Sequence, residues 1–186
     1  MNASEQAKLV AFIDPRISKA AAGDKAAAQE LLRDIVPRVR NLVRYLVRGD
    51  GDVDDMTQQA LLAVLRGLPT YRAEGKWLSW VDRITAREAL AYQKKKRNTQ
   101  QKLQAYQEDV SVLKEESSSR SEYMARRDLA RRLDELPEAQ RNCVVLHHVV
   151  GMTVPELSEH LKIPFDTAKS RLRLGINKLR ELRNET

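Results

Sequence analysis

The chain has 186 residues, with 33 Lys and Arg against 26 Asp and Glu, a formal charge of +7. That length builds one or two small domains, and the basic balance points to a polyanionic partner, nucleic acid before membrane. No apolar run is long enough to span a bilayer, no basic-then-apolar leader opens the chain, and the single cysteine, Cys143, excludes an internal disulfide, so a soluble protein of the reducing cytoplasm is expected, with no membrane insertion.

Glycine and proline are few, seven and six, and long stretches lack strand-like alternation, so the expected fold class is all-α. Residues 1–22 form an N-terminal extension without an assigned role. Ala3 to Ile13 reads as a short helix stopped by Pro15, and Ile17 to Ala22 leads toward the next. Asp24 is placed to cap a helix whose buried stripe is Ala28, Leu31, Leu32 and Ile35. Pro37 marks the start of a further helix holding Val39, Leu42, Val43 and Leu46 inside. After the turn Gly49-Asp50-Gly51, Asp52 or Asp54 caps a third helix that runs through Met56, Ala60, Leu61, Val64 and Leu65 to Gly67. Between Asp50 and Gln59 there are four aspartates and no base. One would serve the cap and the helix dipole; the surplus describes a surface aimed at a basic partner.

From Arg83 to Lys102 the balance reverses, with seven basic residues against Glu88 alone. Trp77 and Trp80, the only tryptophans, stand at i and i+3 ahead of Arg83, Arg87 and the run Lys94-Lys95-Lys96-Arg97. Two readings fit this pattern. The indoles are core, or they stack on unpaired bases while the cations hold the backbone; periodicity does not choose between them. Residues 98–124 are rich in Gln, Glu and Ser, the composition of a flexible linker, and the domain boundary is placed there.

The last 62 residues, 125–186, open with Leu129, Leu133 and Leu136 on one helix ended by Pro137, followed by a helix from Glu138 to Val150 closed by Gly151. Thr153 and Glu156 form a capping-box pair with Pro155 in the first turn, and Lys162-Ile163-Pro164 breaks the run. The helix beyond carries Ala168, Leu172, Ile176 and Leu179 on one stripe and Lys169, Ser170, Arg171 and Arg173 around the other side. That arrangement is a helix-turn-helix, whose second helix enters a major groove; an ordinary two-helix corner with a solvated basic face has the same spacing.

Catalytic chemistry is not expected. Cys143, His147 and His148 lack a second ligand pair at zinc spacing, there is no phosphate-cradling glycine loop, and no nucleophile-base pattern is supported, so neither a metal nor a cofactor is anticipated.

With these stretches together, residues from about Ala20 to Arg183 resemble bacterial RNA polymerase sigma factors of the extracytoplasmic-function (ECF, group IV) family. Asp52 to Gln59 is similar to the family's acidic helix start, in which Asp55 and Gln58 match, Asp54 stands for Glu and Gln59 replaces Glu. In the segment Trp77 to Arg87, Trp80, Arg83 and Ile84 match, Trp77 stands for Phe and Arg87 for Asn. Leu136 to Arg141 resembles the family's LPxxxR, and Pro164 to Leu172 resembles PxGTVKSRL, with Asp166 in place of Gly; Leu174 and Ile176 stand where arginines are common. The resemblance implies a region-2-like domain over 23–97 and a region-4-like domain over 125–186. It implies docking on core RNA polymerase through Asp54, Asp55, Gln58 and Gln59. It further implies recognition and melting of the minus-ten promoter element by Trp77, Trp80, Arg83, Arg87, Lys94, Lys95, Lys96 and Arg97, and reading of the minus-thirty-five element by Thr167, Lys169, Ser170, Arg171 and Arg173. An anti-sigma protein is an expected partner. The alternatives are a helix-turn-helix regulator that binds DNA alone and a sigma-like interaction protein that does not initiate; the departures at Gln59, Arg87, Asp166, Leu174 and Ile176 motivate the second.

Overall fold

A computed structural model describes residues 14–73, 75–103 and 120–184, and every described element is helical. Asp14 caps α1, Pro15–Ala21, by accepting from the Arg16 backbone N–H at 3.0 Å. The stretch Ala3 to Ile13 lies outside the described residues. Asp24 caps α2, Lys25–Leu46, through the N–H groups of Ala26 and Ala27 at 2.9 and 3.1 Å.

Pro37 does not begin a helix. It sits inside α2, which runs unbroken for 22 residues. The proline lies on the solvent side with Arg33 and Arg38, where water can take the carbonyl its ring leaves unbonded. On the opposite side Leu31, Ile35, Val39, Leu42 and Leu46 continue one buried stripe straight past it. Burial of that stripe outweighs the roughly 3 kcal/mol a proline costs in a helix interior.

Helix α3, Val53–Gly67, buries Val53, Met56, Ala60 and Val64; Asp52 stands at its N-cap without accepting a capping bond from the first-turn N–H groups, and its carboxylate accepts from Lys96 Nζ at 2.6 Å instead. A short 3-10 turn, Leu68–Thr70, leads toward α4, Trp77–Leu103. This 27-residue helix continues past Arg97 into the polar stretch expected to serve as linker. Helices α2, α3 and α4 pack mutually, and α1 lies on α2. Asp82 is buried within this first unit and is held by Arg38 in a two-bond fork at 2.6 and 2.7 Å, which raises the guanidinium pKa.

The second unit comprises α5 (Arg120–Asp134), α6 (Glu138–His148), α7 (Val154–Leu161) and α8 (Phe165–Asn184). Gly175 lets α8 approach α6, since a Cβ there would lie 2.7 Å from Val144 Cγ2 and 3.3 Å from the Gln140 carbonyl. The two units are not separate: α2 packs on α5 and α6, and one cluster of buried side chains runs from Ile35 through Leu172.

Candidate nucleic-acid and polymerase interfaces

The helix-turn-helix is built by local chemistry. Thr153 Oγ1 accepts from the Glu156 N–H at 3.4 Å, while Glu156 Oε2 accepts from the Thr153 N–H at 2.8 Å, so the capping box closes in both directions. Lys162 ends α7 in the left-handed region at φ 53°, and Ser158 Oγ donates to the Ile163 carbonyl at 2.6 Å, which fixes the angle of the turn. Leu157 and Ala168 are fully buried between the two helices and Leu172 nearly so. The outer face of α8 is left to solvent: Lys169, Ser170 and Arg173 are exposed, with Thr167 and Arg171 half-buried at its margins. Among the described residues neither Lys169 nor Arg173 makes an ion pair, so both charges are available to a phosphate or a base edge. Phe165 and Asp166 occupy the first turn of the same face, Phe165 46% exposed. Sequence reading passed over Phe165, although a large apolar residue directly after a helix-breaking proline is a visible signal.

Along α3 the acidic stretch forms a ridge. Asp54, Asp55, Gln58 and Gln59 recur at i, i+1, i+4 and i+5 and are all exposed, while Val53, Met56, Thr57 and Ala60 face inward. Arg40 holds Asp54 at 2.9 Å, an exposed pair of small worth that leaves the ridge net acidic.

The tryptophans are partly core. Trp77 and Trp80 stack at 5.2 Å, and Tyr71 completes a triad at 5.4 and 5.1 Å from them. Gly67 makes room for Trp80, whose ring would lie 3.1 Å from a Cβ at that position. Each indole is half-buried, so one surface belongs to the core and another remains accessible. The cations downstream divide into two groups. Lys94 and Lys95 line a shallow cleft with Ala91, Asn98 and Thr99, facing solvent. The others are engaged internally: Arg83 with Glu156 at 2.6 Å, Arg87 with Glu88 at 3.9 Å, Lys96 with Asp52 at 2.6 Å and Arg97 with Glu138 at 3.0 Å. Tyr92 beside Asp52 has its phenol pushed up to about 12, by burial first and then by that carboxylate.

The residues weighed as metal ligands are occupied otherwise. Cys143 is buried, with its thiol pushed up by desolvation, and His147 Nδ1 lies 2.6 Å from the Met152 carbonyl. No described helix is long and apolar enough to cross a membrane.

The class this arrangement defines is a two-unit helical protein with a helix-turn-helix, an acidic ridge and a basic, aromatic-headed helix. Comparison with known proteins identifies the class further. Residues 31–99 match the sigma-70 region 2 family and residues 126–179 the sigma-70 region 4 family. The chain is 31% identical over 168 residues to the ECF RNA polymerase sigma factor SigE of Mycolicibacterium smegmatis, covering 87% of this chain and 64% of that protein. It is 29% identical to the RNA polymerase sigma factor CarQ of Myxococcus xanthus, covering 88% of this chain and 92% of that one, and 28% identical to SigK of Mycobacterium tuberculosis, covering 95% of each. Among solved structures, CnrH in complex with the cytosolic domain of CnrY shares the fold at a TM-score of 0.54 and 20% identity, over 91% of this chain and 96% of that one. The sigma factor RpoE of Bartonella quintana in complex with the anti-sigma factor NepR does so at 0.58 and 20%, over 84% and 96%. The chain belongs to the extracytoplasmic-function sigma factors, a family of transcription initiation factors.

Proposed function

We propose that this protein binds core RNA polymerase, confers promoter recognition on it and directs initiation in the cytoplasm. In this reading residues 23–97 form the polymerase-binding and minus-ten domain, 98–124 the linker and 125–186 the minus-thirty-five domain, with 1–22 an extension. The observation that carries it is the outward face of α8, where Lys169, Ser170 and Arg173 stand free on a helix-turn-helix in a chain whose two halves match regions 2 and 4 of sigma factors in order. Asp54, Asp55, Gln58 and Gln59 dock on a basic surface of the polymerase. Trp77 and Trp80 offer their accessible ring surface to unpaired bases, with Arg83, Arg87 and Lys94 to Arg97 holding the strand. Thr167 and Arg171 position α8 on phosphate while Lys169, Ser170 and Arg173 reach the base edges.

Two solved relatives of the same fold carry CnrY and the anti-sigma factor NepR, which supports an anti-sigma partner for this chain as well. The test of the polymerase contact is charge reversal on the α3 ridge. Asp54→Lys with Asp55→Lys should abolish co-purification with core polymerase while leaving the melting temperature within a few degrees, because both side chains are exposed. Undiminished co-purification would remove the ridge from the interface. A wild-type chain that binds operator-like DNA but never core polymerase would establish a stand-alone regulator instead.

A further inference from the structure

We propose that the first turn of α8 sets the base preference of this chain: the Phe165 ring packs on the C5-methyl group of a thymine, and the Asp166 carboxylate accepts from the N4 amino group of a neighbouring cytosine. This preference rests on the promoter reading above and names the bases that the same helix selects.

Two side chains on the solvent-facing side of α8 have no task in that reading. Phe165 is 46% exposed, Asp166 is exposed, and both belong to the first helical turn. In a helix-turn-helix the N-terminal residues of the second helix are the ones brought to the base edges, so these two lie where readout occurs. Helical spacing puts them on one face with Lys169, Ser170 and Arg173, at i, i+1, i+4, i+5 and i+8, and all five are exposed. The buried stripe of α8 begins one turn beyond Phe165, at Ala168, and continues through Leu172. Phe165 stands ahead of that stripe, with nearly half of its surface facing solvent.

The chemistry of the two side chains selects their bases. A lone exposed aromatic is ordinary on a protein surface, but this one lies on the face that enters the groove. Thymine is the base that shows a methyl group there, and phenylalanine is among the side chains that meet it. Asp166 is the single acid among the five, and among the described residues it makes no ion pair. The helix dipole favours an acid at this end, yet on a surface that meets phosphate the same charge repels the ligand. A donor facing the carboxylate offsets that repulsion, and in the major groove cytosine N4 is the donor that an aspartate takes. Thymine O4 and guanine N7 and O6 present acceptors instead, so Asp166 rejects those bases as well as selecting cytosine.

The test uses the full chain assembled with core RNA polymerase and a pool of randomised DNA duplexes long enough to hold both promoter elements. Bound sequences are counted for the wild type, Phe165→Ala, Asp166→Asn and Lys169→Ala; the three positions are exposed, so the variants keep the fold. The wild type should enrich a thymine and a cytosine at neighbouring positions, beside the one that Lys169→Ala alters. Phe165→Ala should erase the thymine preference alone. Asp166→Asn should exchange cytosine for adenine by about tenfold, because an asparagine amide matches the N6 and N7 edge of adenine. A second measurement needs no variant: deoxyuridine in place of the thymine removes only the methyl group. It should weaken wild-type binding about fourfold, the worth of one buried carbon, and leave Phe165→Ala unaffected. Equal tightening of Asp166→Asn on every sequence, or an enriched element unchanged in both first-turn variants, would overturn this base reading. The promoter reading would then stand if Lys169→Ala still altered one position. A pool in which no protein enriches any sequence would reject the promoter reading and the base preference with it.

Discussion

Lys169 is the residue at which base reading and backbone holding separate most cleanly. It is exposed near the start of α8 and carries no internal ion pair among the described residues. If it reaches a base edge, Lys169→Ala should cost about 1–3 kcal/mol on the cognate minus-thirty-five element and relax preference at one base pair. A titration showing equal loss on all sequences, with a salt slope reduced by about one, would assign it to phosphate.

The fold lowers the pKa of Glu156. The Thr153 backbone N–H, then Arg83 and the Thr153 hydroxyl, hold its carboxyl down at about 2. A carboxyl depressed in the folded state contributes stability that is complete above its unfolded value of 4.5 and is lost as pH falls from there through about 2. The Glu156 side chain is more than a third exposed, so solvent screening keeps this contribution small. His160 acts higher on the scale. Burial, then Arg83 and Arg87, lower its pKa, so just below pH 6.5 the unfolded chain takes up a proton the folded chain resists, and stability falls as pH drops through that range. Unfolding free energies measured from pH 8 to pH 3 should show both declines. Glu156→Gln should flatten the lower one and leave the upper; a profile unchanged by it would remove Glu156 as the source.

Among the elements, α8 against α6 is the packing on which the recognition face depends. Gly175→Ala would gain about 1 kcal/mol of helix propensity and lose about 1–3 kcal/mol to overpacking, because its Cβ meets Val144 at 2.7 Å and the Gln140 carbonyl, a backbone atom, at 3.3 Å. Net destabilisation in a urea titration is the expected outcome, and a stabilised variant would show that α6 yields at no cost. The elements also show which signals a sequence carries. The capping box, the turn at Lys162 to Pro164 and the acidic first turn of α3 are written within a few residues of one another, and all were legible. Pro37 misleads for the same reason: its cost is local, whereas the stripe that overrides it is paid for by α3 and α4 from elsewhere in the chain. Asp52 was legible as a helix start but not as the partner of Lys96, which stands 44 residues away.

At the scale of the molecule, composition and helical period were enough for the all-α class, and the order of motifs for the family. The contact between the units was not legible. Gln93 and Asn142 are each an isolated polar residue on an otherwise apolar helix face, a sign of a buried partner that does not say which one. Arg44, Arg48, Asp134 and Arg141 look like ordinary surface charge until α2 is laid against α5 and α6. In the proposed function, polymerase docking falls to α3, strand holding to α4 and base reading to α8. Its most direct test is run-off transcription reconstituted from the full chain and core RNA polymerase on promoter-bearing templates from the parent genome. A discrete product that requires both the chain and an intact minus-thirty-five element is the expected result. No product from any such template, with the chain stably bound to core polymerase, would contradict initiation and leave a sigma-like interaction protein.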